Sequence, residues 1–581
     1  MPRSFHLLSN VNTTLNVACH ALGTKLLRES GMNIRIKAIS TLFVVFHFVF
    51  AYGQAPAPDL VLVNGKIFTS NATQPYVQAL AIQGDRIAAV GTSEEIERLA
   101  GKDTRIVDLG GRTVIPGLND AHNHLGIHPT NWVQLQLQGP DPSWSELKAA
   151  ILKAPKNVGL MADIGLNVFY DTDVNRGLLD QVAPDQPVML STLTYHAAIL
   201  NSAALKVVGV REDQADPMGG RYERSQDGRL TGVLREYAAR SAFRKLTDLT
   251  SDADALSELR KKFDEFARLG ITSIQDMSNE IAPEHCVALL KQIPTLIRVR
   301  VIRMPNTTPK GRDTQEGRSL PSHPAPLITV SGMKWMLDGV PVENTFEPRQ
   351  KVAGQPSKQV EKAVAELGMT FPKEELTAML QESPRNPDQL LLHVGGYPAT
   401  AAMLDAMQAA GGKRVWSGRR VRFEHGDGLF PDLMPRVKEF GIVVVQNPAH
   451  LNARALAPQL FQGTPMEKSQ PLRSLMEAGI PVAIGSDGLI NPYLNILLAS
   501  THPDRPSEAI SRDQAVIAYT ATSAYAEFAE KDKGTLEPGK LADLAVLSQD
   551  IFTVPLPDLP KTESILTLVG GKVVYDAKVI N

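Results

Sequence analysis

The sequence predicts an α/β protein, made of a (β/α)8 TIM barrel with a large insertion and a small β-sandwich built from both chain ends. Three observations lead to this prediction. Histidine or aspartate residues follow several apolar, strand-like runs in the middle of the chain, as happens where barrel strands end. Short strand-like runs separated by turn residues occur near both ends. The 581 residues, 43% of them hydrophobic, can bury a large core.

The sequence divides into four parts. Residues 1–53 form a leader and a signal peptide, residues 54–115 the first part of the β-sandwich, residues 116–530 the barrel, and residues 531–581 the second part of the sandwich. An insertion at about residues 130–250 is longer than an ordinary connection between a strand and a helix. Loops of that length are usually functional or separately folded, so we expect the insertion to cover the barrel mouth and shape the pocket.

The N-terminal region is typical of an exported protein. A basic segment at residues 32–37 precedes an apolar run at residues 38–50, and small residues at 51–53 offer a cleavage site before Gln54. The apolar run is shorter than the roughly 20 residues that a transmembrane helix needs. We expect a signal peptide at about residues 32–53, no stable membrane span after cleavage, and a periplasmic or secreted protein. An uncleaved membrane anchor is the alternative.

Strand-like runs at both ends predict the β-sandwich. Leu60–Val63 and Lys66–Phe68 are joined by Asn64-Gly65, a pair that is typical of a hairpin turn. The other runs are residues 79–82, 86–90, 544–547, 565–569 and 572–575. We expect the two ends to form one small sandwich with a structural role.

Five side chains that could bind a metal follow strand-like runs. His122 and His124 come after one apolar run, and alternate residues on a strand face the same way, so both rings can reach one ion. His393, His425 and Asp487 each follow a later run. Side chains at the C-terminal ends of barrel strands converge on one face, and we expect these five to meet there.

The later candidates have other interpretations when each is taken alone. His393 could be a hydrogen-bonded core histidine, and His425 could pair with Glu424. Asp487 could cap a helix that begins just after it. The remaining histidines lack the strand-end context, although His450 could line the pocket. The predicted metal site would be absent only if all of these alternative interpretations were correct at the same time.

Lys334 lies in the apolar run of residues 328–337, where a buried ammonium group would be costly. A salt bridge to Asp338 or to another carboxylate would neutralise the charge, or the side chain could extend to water. A third interpretation is reaction of the neutral amine with carbon dioxide, which gives a carbamate able to bridge two metal ions.

Several motifs resemble those of the metal-dependent amidohydrolase superfamily. The stretch from Pro116 to His124, the triplet at residues 485–487 and the closing segment at residues 534–544 are similar to its signatures. Residues 195–205 resemble the branch that includes N-substituted formamide deformylases, the amidohydrolase family 3 type. The resemblance covers roughly residues 58–581 and implies a barrel with a flanking β-sandwich.

The resemblance implies a centre of two divalent ions, with zinc as the leading candidate. His122, His124 and Asp487 would bind the more buried ion, and His393 and His425 would bind the other. The ions would activate a water molecule for attack on a carbonyl carbon. Asp487 would be the catalytic residue that accepts the proton of this water and passes it to the departing amine.

The resemblance also favours the carbamate on Lys334, with carbon dioxide as its source, because similar enzymes carry a lysine on the fourth barrel strand. It makes His196 a candidate substrate-binding residue, while a histidine that fixes the insertion by hydrogen bonds is the alternative. The implied function is hydrolysis of a carbon–nitrogen bond other than a peptide bond, in a small amide or an N-substituted formamide.

Two other functions stay open. Mononuclear deaminase-like or other amidohydrolase chemistry is the nearer one, although the position where related deaminases have a glutamate holds Gly396. The same segment, Gly396-Tyr397-Pro398, departs from the formamide deformylase pattern, which leaves the substrate less defined than the metal site. The other is a non-catalytic regulatory or binding protein on the same fold.

Charge and cysteine content limit the partners. The formal net charge is −2 and no basic cluster stands out, so we expect a small-molecule amide substrate and no nucleic acid. Cleavage of the signal peptide would leave Cys286 as the sole cysteine, which we expect to be inert and packed in a helix. A homo-oligomer is compatible with the sequence.

Overall fold

The computed structural model describes residues 56–139, 141–294, 297–340, 368–452 and 469–580. The predicted leader and signal peptide lie outside the described residues. Within the described parts of the chain, no helix combines the length and the apolar character that crossing a membrane requires.

The described chain contains strands and helices throughout. The strands are β1 (Leu60–Val63), β2 (Lys66–Phe68), β3 (Tyr76–Val77), β4 (Ala79–Gln83), β5 (Arg86–Gly91), β6 (Arg105–Asp108), β7 (Thr113–Pro116), β8 (Leu118–Asn123), β9 (Trp132–Gln134), β10 (Gly159–Ile164), β11 (Val188–Thr192), β12 (Ala197–Leu200), β13 (Gly220–Arg224), β14 (Leu230–Glu236), β15 (Ile271–Ser278), β16 (Arg298–Arg303), β17 (Thr307–Thr308), β18 (Gly311–Arg312), β19 (Ile328–Met336), β20 (Leu390–Val394), β21 (Arg422–His425), β22 (Val443–Gln446), β23 (Val482–Ile484), β24 (Leu544–Leu547), β25 (Ser564–Val569) and β26 (Lys572–Asp576). The α-helices are α1 (Ser93–Glu97), α2 (Trp144–Lys153), α3 (Leu166–Tyr170), α4 (Arg176–Val182), α5 (Ser202–Val207), α6 (Tyr237–Thr247), α7 (Asp252–Arg268), α8 (Pro283–Leu290), α9 (Lys373–Glu382), α10 (Tyr397–Ala409), α11 (Gly412–Trp416), α12 (Met434–Glu439), α13 (Leu472–Glu477), α14 (Pro492–Thr501), α15 (Arg512–Tyr519) and α16 (Ala521–Ala526).

Eight parallel strands form the barrel sheet, in the order β8, β15, β16, β19, β20, β21, β22 and β23. The backbone N–H of Asp487, just after β23, donates to the carbonyl of His122 in β8 at 2.9 Å, which brings the last strand against the first. Helices pack outside this sheet around one large hydrophobic core. The predicted TIM-barrel fold is confirmed.

A glycine permits the close approach of the last strand to the first. A Cβ atom on Gly485 would lie 2.4 Å from the backbone nitrogen of His122, closer than real contacts allow. A larger residue at this position would push β23 away from β8 and shift Asp487, which follows two residues later.

The first barrel strand differs from the prediction in its bounds. The apolar run before His122 belongs to two strands in different sheets, because β7 ends at Pro116 and the barrel strand β8 begins at Leu118. His122 therefore lies inside the barrel strand, and His124 lies one residue beyond its end. Gly117 allows this change of sheet, since a Cβ there would overlap the side chain of Thr272.

Two sheets made from the chain ends lie beside one shared hydrophobic core. One sheet has the order β5, β4, β1, β6, and the other has the order β26, β25, β24, β7, β2, β3 and so contains strands from both ends. The predicted hairpin at Asn64-Gly65 is wrong, because β1 and β2 belong to different sheets. Both edges of β1 are already paired, with β4 and β6, and Asn64 at φ 56° turns the chain into the second sheet.

The long segment before the second barrel strand has its own sheet. Six strands follow the order β13, β14, β12, β11, β10, β9, with two hydrophobic clusters on the sheet. Helix α6 follows β14 and contacts the barrel, where the hydroxyl of Tyr237 accepts a hydrogen bond from the backbone N–H of Met336 at 2.9 Å. This bond ties α6 to the end of the fourth barrel strand, β19.

Cys286 lies in α8 and is fully buried. Its thiol donates to a carboxylate oxygen of Asp276 at 3.7 Å, and burial raises the pKa of the thiol well above its usual value. The structure therefore agrees with an inert cysteine packed in a helix.

Candidate metal centre and active site

The predicted metal ligands meet at the C-terminal end of the barrel. His122 lies in the first strand, His393 in the fifth and His425 at the end of the sixth, and Asp487 follows the eighth. Lys334 lies in the fourth strand. Residues separated by hundreds of positions in the sequence thus come together because parallel barrel strands all end on one face.

Asp487 lies at the centre of this cluster. Its Oδ1 atom is 3.5 Å from His122 Nε2 and 3.3 Å from His124 Nε2, and its Oδ2 atom is 3.7 Å from His425 Nδ1. The ring of His393 lies against that of His425, with centroids 4.5 Å apart. One ligand atom each from His122, His425 and Asp487 lies within 4.8 Å of the others, a spacing that could hold an ion.

Two of these residues have left-handed backbone conformations. The φ angles of His425 and Asp487 are 70° and 42°. Such conformations cost non-glycine residues of order 1–3 kcal/mol each and tend to persist at functional sites. At Asp487 the backbone bond to His122 holds the strained residue in place and directs its carboxylate toward the histidines.

Carboxylates orient two of the imidazoles. The Nδ1–H of His122 donates to Glu424 Oε2 at 2.7 Å, and the Nδ1–H of His393 donates to Asp338 Oδ1 at 2.8 Å. A carboxylate that accepts from one ring nitrogen fixes the tautomer and leaves the lone pair of Nε2 for a metal. Glu424 also accepts from the buried guanidinium of Arg422, at 2.8 and 3.0 Å.

Amide side chains orient the imidazoles of His124 and His425. His124 Nδ1 lies 2.7 Å from Asn279 Oδ1, and His425 Nδ1 lies 2.9 Å from Asn447 Oδ1. Asn279 directly follows the second barrel strand and Asn447 directly follows the seventh. Neither asparagine is among the residues predicted from the sequence, although both follow strand ends as the histidines do.

Three of the alternative interpretations are wrong. Glu424 bonds to His122 and not to His425, because neighbouring residues on a strand point to opposite faces. Asp338 accepts hydrogen bonds from His393 and from the backbone N–H groups of Gly395 and Gly396, and it does not pair with Lys334. Asp487 caps no helix, since α14 begins at Pro492 and Asn491 caps it.

Lys334 is 2% exposed and lies against the predicted metal ligands. Its Nζ atom is 3.0 Å from His122 Nε2. Among the residues that the structure describes, no carboxylate lies within ion-pair distance of this Nζ atom. Burial lowers the pKa of Lys334 to about 8.

The charge states suit a divalent cation. Burial, and after it the charge of Lys334, lowers the pKa of His122 to about 4, so this imidazole is neutral at pH 7. Burial alone would raise the pKa of Glu424, but Arg422, His122 and Lys334 together outweigh it and the pKa falls to about 2. Burial would also raise the pKa of Asp487, yet the surrounding histidines hold it well below its usual value. Metal binding requires such neutral imidazoles and ionised carboxylates.

Two further histidines border the cluster. His450 Nε2 lies 3.2 Å from Asp487 Oδ2, which puts His450 beside the site. The Nδ1 atom of His196 lies 2.7 Å from Glu236 Oε2, and its ring centroid is 5.0 Å from that of His393. His196 thus makes a hydrogen bond of the kind expected for a histidine that fixes the insertion. It also lies next to His393, a predicted metal ligand.

Known proteins resemble this chain over most of its length. It is 26% identical over 560 residues to the N-substituted formamide deformylase of Arthrobacter pascens, covering 89% of this chain and 98% of that protein. It is 27% identical over 547 residues to Protein LONG AFTER FAR-RED 3 of Arabidopsis thaliana, covering 89% and 91%.

A solved structure shares the fold. It is described as an uncharacterized metal-dependent hydrolase from Pyrococcus furiosus, with a TM-score of 0.62 and 22% identity, covering 85% of this chain and 100% of that one. The model of the amidohydrolase family matches residues 105–575. This match confirms the predicted resemblance, and with it the chain belongs to the amidohydrolase family, as a hydrolase that acts on carbon–nitrogen bonds.

Proposed function

We propose that the protein is a metal-dependent hydrolase of small amides, with N-substituted formamides as the leading substrate class. The observation that carries this proposal is the convergence of Asp487 with His122, His124 and His425 at the C-terminal end of the barrel. The formamide deformylase relative supports the substrate class, since the alignment covers 98% of that protein.

We divide the candidate ligands between two divalent ions. His122, His124 and Asp487 would hold one, and His393 and His425 the other. Nitrogen and carboxylate oxygen ligands fit zinc. When bound, such ions polarise an amide carbonyl and make a water molecule acidic enough to attack it. The hydrogen bonds to the outer ring nitrogens support this assignment, because they direct the remaining nitrogen lone pairs inward.

A carbamate on Lys334 would complete the centre. The neutral ε-amine attacks the carbon of carbon dioxide, a nitrogen–carbon bond forms, and one proton is released. The product carries a negative charge where the free lysine would carry a positive one. Its burial, its contact with His122 and the lack of a carboxylate partner among the described residues support this modification.

Asp487 would move the proton. Its carboxylate is ionised at neutral pH and can accept a proton from the attacking water. Return of that proton to the amide nitrogen lets the amine leave as a neutral molecule. His450, 3.2 Å from Asp487 Oδ2, would hold the carboxylate in position, and His196 would contact the substrate.

Formate release tests this function. Residues 54–581 would be purified with zinc and bicarbonate present, and incubated with a series of N-alkyl formamides. We expect stoichiometric formate and amine, loss of turnover on chelation, and recovery when zinc is restored. A metal-loaded protein that releases formate from none of these formamides would contradict the proposed substrate class. Export from the cytoplasm stays a prediction from the sequence.

A further inference from the structure

Arg240 is a buried cation with unusual neighbours. It lies in α6 and is 8% exposed. Its Nη1 atom lies 3.2 Å from the sulfur of Met304 and its Nη2 atom 2.6 Å from the sulfur of Met336. Its Nε atom has no hydrogen-bond partner, and no carboxylate among the described residues lies within ion-pair distance. Thioether sulfur is a weak acceptor, so the guanidinium lacks a strong hydrogen-bond partner. The Tyr237 ring, 5.8 Å from Cζ to its centroid, and the more distant carboxylates of Glu236 and Glu280 compensate its charge only in part.

The next arginine on the same helix shows the contrast. Arg244, one turn later, is also buried. Its guanidinium forms an ion pair with Glu316, and it donates to the carbonyls of Asn279 at 2.7 Å and Ser278 at 3.0 Å. The same helix therefore carries one buried arginine that is paired with a carboxylate and one that, among the described residues, is not.

The unsatisfied guanidinium lies on the catalytic face of the barrel. Met304 directly follows the third barrel strand, and Met336 ends the fourth, two residues after Lys334. Met336 is also the register partner of His393 on the fifth strand. Both sulfur contacts of Arg240 are thus at the C-terminal ends of barrel strands, and the fourth of these strands carries Lys334 of the predicted metal centre.

The position of α6 gives a second indication. Tyr237 and Arg240 are three residues apart in the helix and so lie on one face of it, and the hydroxyl of Tyr237 accepts from the backbone N–H of Met336. Glu236 is the residue just before the helix. Glu236 holds His196, whose ring lies 5.0 Å from that of His393. The face of α6 that carries Arg240 is therefore turned toward the active site.

We propose that Arg240 binds a carboxylate carried by the amine portion of the substrate, so that the enzyme acts on amides of amino acids or related acids. This inference rests on the proposed amide hydrolysis and names its substrate class. A guanidinium and a carboxylate form two parallel hydrogen bonds, which fixes the orientation as well as the affinity of the substrate. The flexible side chains of Met304 and Met336 can move aside to admit the ligand.

A matched pair of substrates tests the proposal. N-formylglycine and N-formylglycinamide have nearly the same size and differ by one negative charge. We expect the zinc-loaded enzyme to prefer N-formylglycine. Arg240→Met should lower kcat/KM for this substrate about 100-fold, mostly through KM, and should change kcat/KM for the amide less than about twofold. Arg240→Lys should recover part of the loss, and Arg211→Met, at an exposed ion pair with Asp213, should have no effect.

Equal losses for both substrates in Arg240→Met, or no preference in the wild-type enzyme, would overturn the carboxylate site. Thermal unfolding separates a structural role. Replacement of an unpaired buried charge by an apolar chain should leave Tm unchanged or raise it. A variant that unfolds, or a large fall in Tm, would show that the guanidinium supports the fold and would also overturn the proposal.

A binding measurement distinguishes this inference from the proposed function. Calorimetry with N-acetylglycine should detect binding to the wild-type protein, and at least about tenfold weaker binding to Arg240→Met. Arg240-dependent binding without any formamide hydrolysis would keep the carboxylate site and reject the formamide activity. Formamide hydrolysis together with N-acetylglycine binding that does not depend on Arg240 would keep the formamide activity and reject the carboxylate site.

Discussion

His122 and Glu424 lie 302 residues apart in the sequence, on the first and sixth barrel strands, and their side chains meet at 2.7 Å between Nδ1 and Oε2. Both side chains are fully buried. Glu424 also neutralises the buried Arg422, so one carboxylate orients a predicted metal ligand and balances a charge in the barrel interior. Its removal should affect both stability and metal binding.

Glu424→Gln should lower the free energy of unfolding by about 3 kcal/mol, because Arg422 would keep a buried charge without its partner. Urea unfolding of the metal-free protein measures this change. Glu94→Gln, which breaks an exposed ion pair with Arg98, should cost well under 1 kcal/mol. Equal costs for the two variants would show that the buried pair contributes no more than a surface one.

Asp487→Asn should lower kcat by about 10²–10⁴, because the amide cannot accept the proton of the attacking water. Steady-state kinetics on the substrate found in the formamide series measures the loss, and circular dichroism should be unchanged. Asp213→Asn, at an exposed position, is the control. Turnover that survives in Asp487→Asn would remove the catalytic role and favour a binding protein on the same fold.

Lys334→Ala should reduce the metal content from two ions per chain to one or none. The expected reason is loss of the bridging carbamate. Elemental analysis of protein purified with bicarbonate and without chelator gives the number directly. One ion per chain in both the wild-type protein and the variant would contradict the bridge and indicate a mononuclear centre.

Asn279→Ala should weaken metal affinity about 10–100-fold while the fold persists, since His124 would lose the shorter of two contacts that orient its ring. The 3.2 Å contact of Nδ1 with the Met277 carbonyl would remain. Competition with a chromophoric chelator measures the affinity. Asn386→Ala, on a surface turn, serves as a control for loss of an asparagine side chain. Unchanged affinity in Asn279→Ala would show that the ring holds its position without the amide.

Removal of the metal should lower Tm, and added zinc should raise it in a concentration-dependent way. A ligand that binds only the folded state stabilises it by about 2.7 kcal/mol at a hundredfold excess over Kd. Differential scanning calorimetry follows the shift. Asp487→Asn should show a smaller shift than the wild-type protein. A Tm that does not respond to zinc would contradict a metal centre built from these residues.

The barrel and the convergence of the candidate ligands were predictable because the signal is local. An apolar run followed by a histidine or an aspartate marks a strand end, and all strand ends of a parallel barrel share one face. His393, His425 and Asp487 could each be found this way without knowledge of their partners. Lys334 followed from the cost of an ammonium group in an apolar strand.

The partners of these residues could not be predicted, because they depend on which strands are neighbours and in which register. Glu424 is adjacent to His425 in sequence, yet it faces His122 across the barrel. Asn64-Gly65 has the local signature of a hairpin, but the flanking strands find their partners elsewhere. Arg240 reaches the active face only because α6 is tied to the fourth barrel strand.

The bond from the Asp487 N–H to the His122 carbonyl couples completion of the fold to completion of the active site. A nascent chain can place its first histidines long before the eighth strand emerges, but the central aspartate arrives only when that strand closes against the first. Chains that stop short of this last step cannot assemble the cluster around Asp487. Acquisition of metal would therefore report that folding has finished, and partly folded chains would be kept from holding a reactive ion in an incomplete site.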